Sequence, residues 1–545
     1  MRKHLETRRY LAQFDSRNLP HVFTDVLVIG AGVGGLRAAL EAAQYADVLV
    51  LAKQSLDESN TQEAQGGVAA VLSEEDSVEE HAADTLRTGQ GLCDEKTVDM
   101  VVREGPERVR ELMSWGAQFD QKDGRIALAQ EGGHGRARIL HARGDATGAE
   151  IARALIAVAR RSERIQVWEH NFVVDLVTED DACRGALVWN KERGSMLIWA
   201  QAVVLATGGL GQVYRETTNP RVATGDGFAL AYRAGAVLTD VEFVQFHPTT
   251  LYVAGASRAL MSETLRGEGG ILRNLRGERF MPKYHDQAEL APRDVVSRSI
   301  IQEMQATGDT KVYLDLTHLS AEHLQARFPM IWQLCQSFDI DISKDLIPVR
   351  PSAHYMVGGV RTDHDAATSI QRLYAVGEVA CTGLHGANRL GSNSLLEGLV
   401  FGRRGGQAIR RCLTNGAVRL PLRAVRSVLT APTRGQIDLT DVANSLRSLM
   451  WRAVGIERQE PHLETAEETI DFWCGYVMDK EFMDPSGWEI QNMLTVAKLL
   501  VHSARTRTES RGVHYRTDYP EPDDAHWLRH LEIQRGEGEA QDAEP

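Results

Sequence analysis

Short apolar runs alternate with longer amphipathic segments over the first part of the chain. The β-branched run Val26–Ile29 is followed by a glycine-rich turn and then by apolar residues at helical spacing up to Ala43. Val48–Leu51 is a second apolar run. Buried parallel strands have this continuous apolar character because both of their faces are covered. The pattern therefore predicts a strand–turn–helix–strand unit.

The same alternation continues to about residue 240 and resumes after about residue 356. Between these points, over 241–356, the chain is less regular and more polar. Alternating strands and helices are typical of a parallel sheet covered by helices. We therefore predict a parallel-sheet domain that is interrupted by an insert.

The last part of the chain has a helical pattern. Glycines become rare after about residue 415, and helices are predicted at about 440–453, 463–478 and 487–507. One apolar face of the third is formed by Ile490, Met493, Leu494, Ala497 and Val501. The end of the chain, RGEGEAQDAEP, is acidic and lacks apolar residues, so we expect it to be disordered.

Composition narrows the class of protein. The chain has 61 basic and 75 acidic residues, a net charge of −14, and no visible basic domain, which argues against a nucleic-acid partner. None of its six cysteines forms a C-x-x-C pair, which argues against a zinc ribbon, a dithiol site and a disulfide framework. Apart from the candidate site residues named below, the histidines, cysteines and carboxylates of the chain do not cluster with the spacing of metal ligands, so no metal is predicted. A reducing cytoplasm is the expected compartment.

One uncharged run, residues 194–214, is about long enough to span a bilayer. Its glycines and glutamines favour a strand, a turn and a second strand instead. The N-terminus is mildly basic but lacks the apolar core of a secretory signal. We therefore expect no membrane span.

The turn after the first strand has the pattern G-x-G-x-x-G, at Gly30, Gly32 and Gly35. The first glycine permits a tight turn, the second lets the backbone approach a pyrophosphate, and the third lets helix and strand pack closely. The strand–helix context favours a dinucleotide site over a merely tight turn. Ala52 and Lys53 replace the acidic residue that usually binds an NAD ribose, which counts against an ordinary NAD dehydrogenase. A phosphate bound by Lys53 is the alternative.

Later segments favour a flavin dinucleotide. Ser59–Gly67 is a polar loop that ends in glycines, Ala206–Gly209 ends a predicted strand, and Val376–Gly398 is glycine-rich. FAD is long, and segments distant from the first turn must hold its ribityl chain and isoalloxazine ring. FAD is therefore the expected cofactor.

Several segments carry a family resemblance. The stretches AQGGVAAV, ATGGLGQVY, EFVQFHPT, SETLRGEGG, ELAPRDVVSR, AHYMVGGV and GEVACTGLHGANRLGSNSLLEG resemble the flavoprotein subunits of succinate dehydrogenase and fumarate reductase and, within that family, the L-aspartate oxidases. The resemblance covers about residues 24–520. It implies an α/β fold with a Rossmann-like FAD-binding domain, an inserted α+β capping domain and a C-terminal helical bundle. The corresponding ranges are 1–240 and 357–420 for the FAD domain, 241–356 for the cap, 421–525 for the bundle and 526–545 for the acidic tail.

Two positions discriminate within the family. The respiratory enzymes carry S-H-T, with a histidine linked covalently to FAD, where this chain has Ser59-Asn60-Thr61. An amide cannot form the histidyl link, so the resemblance implies non-covalent FAD. Glu131 stands where the dicarboxylate dehydrogenases usually carry an aromatic residue. In the oxidases this glutamate meets the substrate's ammonium, which needs an anionic acceptor; an exposed loop glutamate is the alternative.

The resemblance also assigns the residues that bind a four-carbon dicarboxylate. Arg389 is expected to grip one carboxylate with two hydrogen bonds. Additional donors are expected from His247, His354 and Ser262.

Proton transfer is assigned to Arg293 in the APRD segment, with Glu263 and Arg266 as a proton path. A free arginine is almost always protonated, so a relay through the glutamate is the expected solution. A purely electrostatic role of Arg293 is the alternative.

The resemblance places many further residues around FAD. The first turn, the end of the second strand, the polar loop and three later segments are expected to hold it. These residues are Gly30, Ala31, Gly32, Val33, Gly34, Gly35, Lys53, Asn60, Thr61, Gln62, Glu63, Ala64, Gln65, Gly66, Gly67, Asp226, Glu378, Ser394 and Leu395. A carboxylate at a helix N-terminus is the alternative for Glu378.

The implied reaction is the oxidation of L-aspartate to iminoaspartate, with O₂ giving H₂O₂ or with fumarate as electron acceptor. By the same analogy the imine passes to quinolinate synthase at the start of NAD biosynthesis. One alternative is a soluble fumarate reductase or succinate dehydrogenase flavoprotein, which Asn60 and Glu131 oppose. Another is a non-catalytic flavoprotein subunit, which the retained arginines and histidines oppose.

Overall fold

The computed structural model describes residues 3–254, 256, 258–414, 423–429, 437–536 and 541–542. Its largest sheet contains, in order, strands Asn171–Glu179, Ala182–Asn190, Gly194–Leu205, His21–Ile29, Val48–Leu51 and Ile165–Trp168, and Leu373–Ala375 also pairs with Gly194–Leu205. The pairs that involve Val48–Leu51, His21–Ile29 and Leu373–Ala375 are parallel, and Asn171–Asn190 forms an antiparallel hairpin. The predicted strand–turn–helix–strand unit is confirmed, with its helix at Val33–Ala42.

The two central parallel strands bury alternate side chains on opposite faces. Leu27 and Leu49 belong to one hydrophobic core, and Val28 and Val50 to another. This is why the sequence shows continuous apolar runs rather than an apolar–polar alternation. Both faces of the sheet are therefore covered.

The helices of this domain pack mainly on one face. Helix Val33–Ala42 contacts Asn393–Thr414 and Thr147–Arg161. The other α-helices of the domain in the described residues are Lys3–Glu6, Val78–Thr88, Glu95–Ser114 and Asp226–Ala234.

The insert has its own antiparallel sheet and core. The strands, in order, are Val244–Leu251, Ile347–Met356, Val312–Asp315 and Ile271–Arg273. The helices are Glu263–Gly267, Arg293–Thr307, Ala321–Arg327 and Pro329–Gln336. Its core includes Leu251, Leu314 and Ile347. The insert therefore enters and leaves the parallel-sheet domain on neighbouring strands.

Three helices follow, at Leu439–Ala453, Glu460–Val477 and Pro485–Thr506, as the sequence predicts. All five residues of the predicted apolar face on the last helix are buried. They pack in the same core as Leu27 and Leu49. The bundle therefore closes one face of the parallel sheet.

Two predictions are wrong in part. The uncharged run forms strand Gly194–Leu205, a glycine turn and one 3-10 turn at Gly211–Val213, with no second strand. The tail does not begin at residue 526, because Leu531–Ile533 pairs with Leu238–Thr239 and buries Leu531 and Ile533. Residues 537–540 and 543–545 of that tail, and the expected boundary at 420/421, lie outside the described residues. Within the described chain, no helix is long and apolar enough to cross a membrane.

Candidate functional site

A cavity of about 700 Å³ opens at the carboxyl ends of the parallel strands. Its lining includes Gly30–Gly34, Lys53 and Thr207. A β-carbon on Gly30 would lie 2.1 Å from the carbonyl oxygen of Ala206. One on Gly35, which packs behind the cavity, would lie 2.2 Å from the carbonyl oxygen of Gly30. Only glycine permits these approaches, which bring the N-terminus of helix Val33–Ala42 to the cavity.

The polar loop 59–67 contributes unevenly to this cavity. Asn60, Thr61, Glu63, Ala64 and Gln65 line it. The expected neighbours Gln62, Gly66 and Gly67 are outside the lining set. Gly67 packs instead against the strand Ile139–Leu140, where a β-carbon would lie 2.1 Å from Ile139.

The cavity fits a large polar ligand. The side-chain oxygens of Asn60, Gln65 and Thr207 are buried without a hydrogen-bond partner, and all three residues line the cavity. Buried polar atoms nearly always have partners in native proteins. A dinucleotide with hydroxyl, phosphate and ring-nitrogen groups would supply them.

Glu378 lies beside Asn60 in the same cavity. The Asn60 amide donates to Glu378 Oε2 at 2.6 Å, and the Met356 N–H donates to Oε1 at 3.0 Å. Burial raises the pKa of Glu378 to about 7, and these two hydrogen bonds oppose the shift only in part. A β-carbon on Gly209 would lie 2.2 Å from this carboxylate, so glycine is required there.

Lys53 and Asp226 form an ion pair at the cavity wall. Lys53 Nζ lies 2.8 Å from Asp226 Oδ2 and 2.6 Å from Glu489 Oε1, and the Asn492 amide donates to Asp226 Oδ1 at 2.8 Å. Two carboxylates already neutralise Lys53, which weakens the phosphate alternative. Glu489 and Asn492 lie in the C-terminal bundle, so that bundle supports the cofactor side of the molecule.

Three charged residues form a buried chain beside the cavity. Arg293 Nε donates to Glu263 Oε2 at 2.6 Å, and Arg266 Nη2 lies 3.3 Å from Glu263 Oε1. Arg293 is the first residue of helix Arg293–Thr307, and the other two lie on Glu263–Gly267. Ser262 caps this short helix by accepting from the Thr264 N–H. The structure therefore brings the predicted Arg–Glu–Arg set together and gives Ser262 a capping contact.

Glu131 occupies a buried polar cluster. Ser392 Oγ donates to its Oε2 at 2.7 Å, Thr264 Oγ1 donates to its Oε1 at 3.2 Å, and His141 Nε2 lies 3.5 Å from Oε1. Burial opposes the ionised form, but His141, Ser392 and the charge of Arg293 outweigh it. The pKa of Glu131 is therefore held well below its usual range.

Gly391 marks the point where Glu131 meets the charged chain. A β-carbon on Gly391 would lie 3.0 Å from Arg293 Nη2, 3.4 Å from Glu263 Oε2 and 3.5 Å from Glu131 Oε2. The alternative in which Glu131 is an exposed loop residue is thus inconsistent with the structure. An anionic and a cationic side chain converge here within a few ångströms.

Arg389 is held by neutral partners. It donates to Gln245 Oε1 at 3.2 Å, to Ser394 Oγ at 2.6 Å and to His354 Nε2 at 3.3 Å. Gln245 Oε1 also accepts from Arg293 Nη1 at 3.2 Å. The Gln245 amide oxygen therefore accepts hydrogen bonds from both Arg293 of the cap and Arg389 of the parallel-sheet domain.

The two predicted histidines are adjacent and neutral. The rings of His247 and His354 lie 5.3 Å apart, and burial lowers the pKa of both well below the usual value, reinforced by Arg293 and, at His354, by Arg389. His354 Nε2 faces Arg389, so its N–H is on Nδ1, towards Thr218 Oγ1 at 2.9 Å. His354 has no N–H left for a ligand in this arrangement. His247 Nε2 is buried without a partner and is free to meet one.

Sequence reasoning missed four neighbours of these residues: Gln245, Thr264, His141 and Ser392. Gln245, Thr264 and Ser392 lie inside segments that carry the family resemblance, which is the signal that would have found them, whereas His141 lies outside these segments. Ser392 adopts a left-handed backbone conformation with φ 62°, rare for a residue other than glycine. Such strain often marks a functional segment.

Comparisons with known proteins agree with this geometry. The family model described as "FAD binding domain" matches residues 25–395, and that described as "Fumarate reductase flavoprotein C-term" matches residues 443–544. L-aspartate oxidase 2-b of Nicotiana tabacum is 44% identical over 93% of this chain and 83% of its own length. The L-aspartate oxidase of Streptomyces coelicolor is 43% identical over 94% and 91%.

A solved structure has the same architecture. The E. coli quinol fumarate reductase flavoprotein superposes with a TM-score of 0.88 at 34% identity, over 96% of this chain and 97% of that one. The match extends across the parallel sheet, the cap and the bundle. The chain therefore belongs to the L-aspartate oxidases, within the FAD-binding flavoproteins of the succinate dehydrogenase and fumarate reductase family.

Proposed function

We propose that this protein oxidises L-aspartate to iminoaspartate with FAD, as the first step of NAD biosynthesis. The observation that carries the proposal is Glu131, an ionised buried carboxylate that meets Arg293 at Gly391. An ammonium needs such an acceptor, whereas succinate and fumarate do not. Relatives of 41–45% identity that carry the name L-aspartate oxidase support it.

The carboxylates of the substrate are bound by cationic and neutral donors. Three of the five N–H groups of Arg389 contact described residues, which leaves two for a bidentate carboxylate. His247 Nε2 is a neutral partner for the second carboxylate. Glu131 accepts from the ammonium. Three fixed points thus orient the Cα–H bond, and the cap excludes water when it closes over them.

FAD, when bound, would supply the hydride acceptor for the Cα–H bond. The residues that would hold it are those of the first turn, Glu378 and the loop residues Asn60, Thr61, Glu63, Ala64 and Gln65. Arg293 lies beside Glu131 and is linked to Arg266 through Glu263. This chain is suited to move the proton that the amino group loses, since a carboxylate between two guanidiniums can pass a proton on.

The proposal includes two possible electron acceptors and one enzyme that would consume the product. O₂ would yield H₂O₂, and fumarate would use the same carboxylate donors as aspartate. The imine would pass to quinolinate synthase. A cytoplasmic location stays a prediction, because the bacterial relatives carry no compartment in their names and the plant relatives are chloroplastic.

The direct test is anaerobic addition of L-aspartate to the yellow holoenzyme. The flavin absorbance should bleach with aspartate and return with either O₂ or fumarate. A variant with Arg389→Leu, which removes the expected carboxylate donor, should stay yellow. Bleaching by succinate but not by aspartate would establish instead the second candidate, a soluble fumarate reductase or succinate dehydrogenase flavoprotein.

A further inference from the structure

The two arginines at the substrate site differ in how their charge is balanced. Arg293 forms an ion pair with Glu263 at 2.6 Å. Arg389 donates only to an amide oxygen, a hydroxyl and an imidazole nitrogen. Among the described residues, no carboxylate lies within ion-pair distance of Arg389. A buried cation without a counter-ion is costly and needs another source of stabilisation.

An aromatic ring covers the face of this guanidinium. Arg389 Cζ lies 4.4 Å from the ring centroid of Tyr355, which is within the range of a cation–π interaction. Arg389 is 5% exposed and Tyr355 is 7% exposed, so little water screens the contact. The ring occupies the face of the guanidinium and leaves its N–H edge available to a ligand.

The hydroxyl of Tyr355 is attached to a buried carboxylate. It donates to Glu397 Oε2 at 3.1 Å, while Thr382 Oγ1 donates to Oε1 at 2.6 Å and His385 Nε2 lies 3.1 Å from Oε2. Glu397 is fully buried. A phenol that donates to a carboxylate is polarised towards its oxygen and ring. Glu397 therefore makes the ring face that Arg389 contacts more negative.

We propose that Tyr355 is a positioning residue that holds Arg389 ready for a dicarboxylate. Its ring stabilises the unpaired guanidinium, and Glu397 supplies negative charge at a distance through the phenol. A carboxylate in direct contact with Arg389 would occupy the N–H edge and compete with the substrate. The ring gives the stabilisation without that competition. This inference rests on the proposed function in one respect, that the ligand of Arg389 is a dicarboxylate.

The test replaces Tyr355 with phenylalanine and with its mono-, di- and trifluoro derivatives in the full-length holoenzyme. Fluorine withdraws electron density from the ring face with little change in shape. The dissociation constant of succinate, read from the perturbed flavin absorbance, should stay within about threefold for Tyr355→Phe. It should then rise with each fluorine to about 30-fold, equivalent to about 2 kcal/mol. A constant value across the series would overturn the proposal, as would a loss at Tyr355→Phe equal to that of the trifluoro derivative.

Two controls separate positioning from packing. The same fluorinated series at Phe280, which is fully buried in the core of the cap, should leave succinate binding unchanged. Glu397→Gln should weaken succinate binding about threefold when residue 355 is tyrosine and have no effect when it is phenylalanine. Equal effects of Glu397→Gln in both backgrounds would remove Glu397 from the proposal. Absence of flavin bleaching by aspartate in the wild type would count against the proposed function and not against this arrangement, which the succinate series tests.

Discussion

Glu131, which is buried, and Glu378, which is partly buried at the cavity wall, are two carboxylates of one site with opposite electrostatics. The pKa of Glu131 is lowered well below its usual range, whereas that of Glu378 is raised to about 7. Burial alone raises both. At Glu131 the effect of burial is outweighed by His141, Ser392 and the charge of Arg293. At Glu378 a backbone N–H, the Asn60 amide and the charge of Arg389 oppose burial only in part, and Glu397 adds repulsion. Neighbours, and not depth, therefore decide which carboxylate is an anion ready for an ammonium.

The largest expected effect is the release of FAD on denaturation, which tests the surroundings of Glu378. Asn60, which donates to Glu378, cannot form the covalent bond that a histidine forms with FAD. Acid precipitation should therefore release all of the flavin into the supernatant. Yellow colour that stays with the pellet would show a covalent link and give Asn60–Glu378 a different role.

The next effect concerns the cation that stabilises Glu131. Arg293→Lys keeps the positive charge, so Glu131 should stay ionised, but it loses the planar fork that contacts Glu263. Aspartate oxidation and fumarate reduction should both fall by about 10²–10⁴-fold, with FAD still bound. Steady-state kinetics of both reactions test this. Near-normal turnover would remove Arg293 from the mechanism.

Glu131→Gln tests the anion itself. A charge-assisted hydrogen bond to the ammonium contributes about 1.5–3 kcal/mol, or roughly 10- to 150-fold in kcat/KM for aspartate. Fumarate lacks the ammonium, so its reduction should change much less or improve. Steady-state kinetics of aspartate oxidation and fumarate reduction, measured on the wild type and the variant, give the loss of kcat/KM for each substrate. Equal losses for both would make Glu131 structural and erase the contrast with Glu378.

Neutralising each carboxylate should also change the free energy of unfolding. This effect is smaller, and its sign should differ between Glu378 and Glu131. The pKa of Glu378 is near 4.5 when unfolded and about 7 in the fold, so its stabilising contribution is present below pH 4.5 and is lost as pH rises through 7. Glu378→Gln should raise the free energy of unfolding of the FAD-free protein at pH 8 by up to about 3 kcal/mol. This gain should shrink towards pH 5.

Urea unfolding at the two pH values checks the difference, with Glu131→Gln as the matched control. The pKa of Glu131 is lowered in the fold, so its contribution is present above its unfolded pKa, and its substitution should destabilise the protein at pH 8. Changes of the same sign in both variants would contradict the assignment of opposite charge states.

Much of the cofactor side follows from the sequence because it depends on local sterics. Gly30 and Gly35 are needed because a β-carbon at either position would collide with a nearby backbone carbonyl. The short-range pattern G-x-G-x-x-G therefore predicts this turn. The apolar runs of the central strands are equally local. The Arg293, Glu263 and Arg266 set came from the family resemblance, since spacing alone does not bring two helices of the cap together.

The remaining features depend on contacts between distant segments. Lys53 pairs with Glu489, 436 positions later, and nothing near either residue indicates it. His141 and Ser392 are ordinary residues until Glu131 lies between them. The strand Leu531–Ile533 is only three residues long and is followed by acidic and glycine residues. The composition of this region therefore predicts disorder and not a strand.

The core shared by Leu27, Leu49, Leu499 and Val501 has a consequence for synthesis of the chain. One face of the first parallel strands is closed by a helix that leaves the ribosome about 450 residues later, which at about 5–20 residues per second is roughly 20–90 s. During that time the nascent sheet exposes leucines whose permanent partners do not yet exist. Burial of this face is therefore completed only after helix Pro485–Thr506 has been synthesised, and we expect the exposed leucines to favour chaperone binding until then.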